Sequence, residues 1–175
     1  MNSMSPKLRI ALLAFAASLS LDVITKNLVA QQLAYSDKLE IVEGFFYLTH
    51  VRNPGAAFGL FASAPAQWRL GFFIGISLLA LGIVVSFFRK LAPGDRLSAL
   101  ALGFISGGAV GNLIDRIFRQ EVVDFLHFKL WQGYSWPDFN FADSFIVVGV
   151  GLLVLELLAS EGESRAGAER DEPLA

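Results

Sequence analysis

The feature that most constrains this chain is the recurrence of four stretches, at about 10–30, 70–88, 97–116 and 141–159, that are almost free of charge. Each approaches the roughly 20 residues a helix needs to cross a bilayer. The clearest, Leu70 to Phe88 (LGFFIGISLLALGIVVSFF), holds no ionisable group and is bounded by Arg69 and by Arg89 and Lys90. The first stretch carries Asp22 and Lys26, and the last carries Asp143 near its start and Glu156 near its end. The whole composition agrees: 54% of the 175 residues are apolar, 17% are charged, and mean hydropathy is +0.55. The expected fold class is therefore an all-α polytopic membrane protein with four transmembrane helices.

Charge and cysteine usage exclude other classes. A net charge of -2 with scattered Lys and Arg offers no basic face for phosphate backbones, so no nucleic-acid partner is expected. Without cysteine there is no disulfide, thiolate nucleophile or cysteine-held metal, and two histidines are few for a metal site. No cofactor or metal is expected. Catalysis falls to carboxylates, hydroxyls or Lys.

The first stretch also admits reading as a cleavable signal peptide, with Lys7 and Arg9 ahead of it and Ala14-Phe15-Ala16 as a cleavage site. Apolarity continues well past that point, which favours a retained helix. Lys7, Arg9, Arg89, Lys90 and Arg96 place both termini in the cytoplasm by the positive-inside rule, against a weaker set of Lys38, Arg52, Arg69, Arg119 and Lys129 opposite. Residues 1–160 read as a single transmembrane domain, and 161–175 as a disordered cytoplasmic tail. With an even number of spans, 31–67 and 119–140 face one compartment. Phe46 to Asn53 (FYLTHVRN) is β-prone and runs into the turn-forming NPG, so a small sheet on the membrane surface is expected.

Ionisable groups at membrane depth are costly and so mark candidate sites. Asp22 and Lys26, four apart, suit an intrahelical pair that either neutralises the helix or supports a site. Gly103, Gly107 and Gly111 form a groove for close helix approach, which Asp115 continues, and Gly108, Asn112 and Arg116 form the adjacent stripe. Asn112 and Arg116 project together and suit a donor pair for a carbonyl or carboxylate. Asp115 reads first as a structural partner and second as a catalytic candidate. Asn140 followed by Asp143 resembles a helix-capping box. Yet Asp124, in the apolar EVVDFLHF, and Asp143 end one same-side loop at the membrane interface, where they can face each other. Two close carboxylates cannot both ionise readily, an arrangement suited to peptide hydrolysis. The alternative is a transporter or proton channel, which predicts acids spread through the bilayer. An intramembrane protease of the presenilin type is disfavoured because its GxGD is missing from the helices.

Five motifs in order carry a family resemblance: LDVITK at 21–26, RNPGAAFGLF at 52–61, GGAVGNLIDR at 107–116, VVDF at 122–125 and FNFADS at 139–144. With the four-span profile, the chain resembles lipoprotein signal peptidase (signal peptidase II), the bacterial inner-membrane aspartic peptidase. The resemblance implies four helices with cytoplasmic termini, a small extracytoplasmic β cradle, and a loop that closes over the site. It implies cleavage of diacylglyceryl-modified prolipoproteins just before the lipidated cysteine. Asp124 and Asp143 match the catalytic pair, and Asn112, Arg116 and Asn140 match polar residues around it. Asp22, Lys26 and Asn53 match further polar positions, Gly108 a small residue beside the site, and Asp115 the second choice for the pair. Membrane lipids are the other expected partners, and a monomer is the expected state. Several of the sixteen phenylalanines are expected to line a groove for acyl chains.

Overall fold

Residues 4–55, 61 and 64–170 are described by the computed structural model. Helix α1 spans Pro6–Gln32, α2 Ala66–Lys90, α3 Arg96–Arg119 and α4 Phe141–Arg170; strands β1, β2 and β3 span Lys38–Val42, Phe46–Asn53 and Val122–Phe128. All four helices are long and apolar enough to cross a membrane. In lipid a helix satisfies its own backbone groups, so each apolar run resolves as a helix, and most outrun the expected span at both ends.

Helix α3 is the hub, packing on α1, α4 and α2. Apolar side chains gain little by leaving lipid for one another, so close backbone approach decides which helices associate. The glycine stripe supplies it. A Cβ at Gly103 would lie 2.6 Å from the Ala11 carbonyl oxygen, and one at Gly107 2.8 Å from that of Phe15, so this face seats α1. Gly108 faces α4, where a Cβ would collide with the Ala142 carbonyl. Helix α2 buries no residue and gives most of its surface to lipid.

The strands form one antiparallel sheet in the order β1-β2-β3. Pairing sets Phe46 opposite Phe128, Val51 opposite Asp124 and Asn53 opposite Val122. Val29 at the end of α1 packs with Val123, Phe125 and Leu126 of β3, tying the sheet to the helices. Strand β2 coincides with the β-prone FYLTHVRN, whereas β1 carries no one-sided pattern because all five of its residues are exposed.

The expected disordered tail is corrected in part. Helix α4 continues through residues 161–170, because Glu, Arg and Ala extend an already nucleated helix cheaply. Residues 171–175 lie outside the described residues, as do 56–60 within the RNPGAAFGLF motif.

Candidate active site

The start of α4 is built as a capping box. The Asp143 backbone N–H donates to Asn140 Oδ1 at 3.0 Å, and the Asn140 N–H donates to Asp143 Oδ2 at 3.3 Å. That reciprocal pair satisfies two otherwise orphaned backbone donors and fixes both side chains. Because Asn140 Oδ1 is committed to the cap, its amide nitrogen points the other way. It donates to Asp124 Oδ1 at 2.7 Å. The capping role and the site role of Asp143 are thus compatible.

Asn53 is oriented by similar logic. Its Oδ1 accepts from the Gly55 N–H at 3.0 Å, closing a turn after β2, so its Nδ2 donates to Asp124 Oδ2 at 3.0 Å. Asp124 itself is 2% exposed, in the middle of β3. Burial, and then the charge of nearby Asp143, push its carboxyl up to about 7, against the opposing hydrogen bonds from Asn53 and Asn140.

Asn112 connects the pair to a deeper ion network. Its Oδ1 accepts from Lys26 Nζ at 2.8 Å, and its Nδ2 donates to Asp143 Oδ1 at 2.8 Å. A lysine ammonium can only donate, so Lys26 decides which end of the Asn112 amide faces Asp143. Lys26 is 1% exposed and its charge is met by Asp22 at 2.8 Å and Asp115 at 3.5 Å. Asp22 also accepts from the Ala142 N–H at 2.8 Å, joining α1 to the first turn of α4. The Asp22–Lys26 pair is therefore a neutralised intrahelical pair that also bonds the Asn112 amide.

Asp115 takes a different place. Its Oδ2 accepts from the Val123 N–H at 3.0 Å and its Oδ1 pairs with Arg119 at 2.7 Å. Arg119 reaches on to Asn27 Oδ1 at 2.5 Å. The structural partner expected for Asp115 is thus an arginine, Arg119, one helical turn further along α3. Asp115 ties the start of β3 to the end of α3, and so aims the strand that carries Asp124.

A cavity of about 670 Å³ opens beside these groups, and Asp124, Asp143, Asn53, Asn112 and Arg116 all line it. The Arg116 guanidinium lies 5.0 Å from the Phe73 ring centre, and its Nη1 donates to the Asn112 carbonyl at 3.2 Å. Among the described residues it makes no ion pair, which leaves a cation on the wall near two acids. Asp22, Lys26, Asp115, Asn140 and Gly108 do not line the cavity; Lys26 and Asn140 reach it through Asn112 and Asp124. Val147, Val148 and Phe139 supply apolar lining. No group of three or more His, Asp or Glu able to hold a metal occurs among the described residues.

Sequence reasoning missed Asp138, which also lines the cavity and accepts from Thr49 Oγ1 at 2.6 Å, with His127 Nδ1 3.3 Å away. The signal was a further acid in the same loop. Its partners come from β2 and β3, which only strand register brings together.

Comparison with known proteins gives consistent results. A family model described as signal peptidase (SPase) II matches residues 14–159. The lipoprotein signal peptidase of Geobacter sulfurreducens is 43% identical over 158 residues, covering 90% of this chain and 97% of that protein. That of Bacillus pumilus is 43% identical over 138 residues, covering 79% of this chain and 85% of that protein. A bacterial membrane enzyme solved by the in meso method at 2.3 Å resolution superposes with a TM-score of 0.77 at 31% identity, covering 94% of this chain and 93% of that one. A second, at 1.9 Å resolution, gives a TM-score of 0.75 at 32% identity, covering 85% and 92%.

Proposed function

Because this chain belongs to the signal peptidase II family, we propose that it removes the signal peptide from diacylglyceryl-modified prolipoproteins by means of an Asp124–Asp143 pair. The observation that carries this reading is the opening of both carboxylates onto one cavity, with burial and the neighbouring charge favouring a proton on Asp124. In the proposed reaction Asp143 is the ionised member. It takes a proton from a water molecule as the water oxygen bonds to the scissile carbonyl carbon. Asp124 gives its proton to the carbonyl oxygen, so no full oxyanion forms. As the tetrahedral diol collapses, the C–N bond breaks, the proton on Asp143 passes to the leaving nitrogen, and a diol hydroxyl returns a proton to Asp124.

The remaining residues hold this geometry. Asn53 and Asn140 clamp Asp124; Asn112, set by Lys26, clamps Asp143. Arg116 offers the donors that hold a substrate carbonyl, and the proposed cut lies just before the lipidated cysteine. A substrate held by acyl chains and a hydrophobic signal helix presents that bond at a bilayer interface, where the sheet meets the helices. The membrane is the bacterial inner membrane, with both termini in the cytoplasm and the site on the far face. A transporter reading is set aside by the family membership.

Single Asp→Asn replacement at 115, 124 and 143, assayed on a lipidated precursor in detergent with folding checked separately, tests the assignment. Asp124→Asn and Asp143→Asn are expected to lose about 10²–10⁴-fold in rate while staying folded. A normal rate for Asp124→Asn beside a folded, inactive Asp115→Asn would overturn it. The proposed steps use no metal, so a chelator is expected to leave the rate unchanged.

A further inference from the structure

Away from the carboxylates the helices form a second, open-sided cavity of about 430 Å³, at the end opposite the sheet. Its walls are Leu8, Leu12 and Phe15 of α1 and Val84, Val85 and Phe88 of α2, and its floor is α3 around Gly103. The cause is topological: α1 and α2 both pack on α3 but barely on each other. The one polar side chain in the lining, Ser106, returns its hydroxyl to the Leu102 carbonyl at 2.7 Å, so the groove presents only apolar surface. Leu12 and Val85 are about half exposed, so the groove opens toward lipid. From Leu8 to Phe15 it runs about 10 Å along the helix axis.

Basic residues stand at this end of α1 and α2, next in sequence to the groove-lining Leu8 and Phe88. Lys7 Nζ sits 5.4 Å from the Phe88 ring centre and bonds the Leu91 carbonyl, which pins the start of α1 to the end of α2. Arg89 and Lys90 follow Phe88 directly and are exposed. The acid of the adjoining loop, Asp95, is turned to the Ala92 N–H at 2.7 Å. An apolar slot with a cationic rim at a helix end fits one amphiphile: an acyl chain with an anionic head.

We propose that this groove is a binding site for an anionic phospholipid of the leaflet at that end. One acyl chain lies between α1 and α2, and the phosphate meets Lys7, Arg89 and Lys90. A signal-peptide helix is the less suited occupant, because its positively charged start would lie at the same basic rim.

The test is native mass spectrometry of the full chain in detergent, titrated with dioleoyl phosphatidylglycerol and dioleoyl phosphatidylcholine. Their chains are identical, so any difference reads the headgroup. One phosphatidylglycerol is expected to be retained in preference to phosphatidylcholine. Arg89→Gln with Lys90→Gln is expected to weaken that preference by roughly fivefold per cation removed. Leu12→Trp, or Val85→Trp should the first variant fold poorly, fills the slot and is expected to lower retention of both lipids. Equal retention of the two lipids, retention unchanged by filling the slot, or displacement of phosphatidylglycerol by a synthetic signal peptide would each overturn the assignment.

Discussion

A carboxyl that keeps its proton to about pH 7 can act as an acid under neutral conditions, which an ordinary aspartate cannot. Two consequences follow at the level of Asp124. The rate of precursor cleavage is expected to fall as pH rises past about 7, because the proton proposed for the scissile carbonyl is then lost. A kcat/KM profile flat to pH 9 would remove Asp124 from that role. The measured value would belong to the pair, since the charge of Asp143 is one of its causes. Stability carries the second consequence. Between the ordinary 3.8 and about 7 the folded chain holds a proton that the unfolded chain has released, so rising pH costs stability across that window and the deficit persists above it. Melting curves of the native protein are therefore expected to drop between about pH 4 and 7 more than those of Asp124→Asn, which cannot titrate there. Part of this was legible in the residues: an isolated acid in EVVDFLHF already stood out from ordinary loop sequence. The clamping amides were named but their orientations were not. Those depend on Lys26 and the Gly55 N–H, which tertiary contacts bring to Asn112 and Asn53.

Among the elements, the contact between α3 and α4 sets Asn112 against Asp143. Gly108 sits under the Ala142 carbonyl, one residue before Asp143, so any side chain there pushes the first turn of α4 away from Asn112. Gly108→Val is expected to destabilise the protein by about 1–3 kcal/mol, as overpacking does, and to abolish cleavage even where the protein remains folded. A folded Gly108→Val with native activity would show that α4 does not need this approach. The glycine stripes were readable from four-residue spacing alone, as was the capping box at Asn140 and Asp143. Strand β1 was not, because an edge strand exposed along its length shows no burial pattern and is held by pairing with β2. The continuation of α4 beyond residue 160 was misread because polar composition resembles a solvated tail whether or not it is helical.

Taken as one object, the protein concentrates its aromatic amphiphiles at the end that carries the sheet. Trp68 begins α2, and Trp131, Tyr134 and Trp136 occupy the loop between β3 and α4; all four are about half exposed or more. Such rings favour the interface between headgroups and hydrocarbon, which supports the proposal that this end of the bundle, with the two carboxylates, lies at a membrane surface. Lys7, Arg89, Lys90 and Arg96 mark the other end, which the topology proposed above, following the positive-inside rule, puts in the cytoplasm. The absence of cysteine makes this orientation directly testable, since an introduced thiol is the only one in the chain. Tyr134→Cys places it on the exposed loop beside the cavity, and Gly94→Cys places it in the opposite loop, where an added Cβ meets open space. In cells whose inner membrane is intact but reachable from outside, a membrane-impermeant maleimide is expected to label Tyr134→Cys at once. Gly94→Cys is expected to react only after permeabilisation. The reverse pattern would put the carboxylates on the cytoplasmic face, where a bond exposed after export could not reach them.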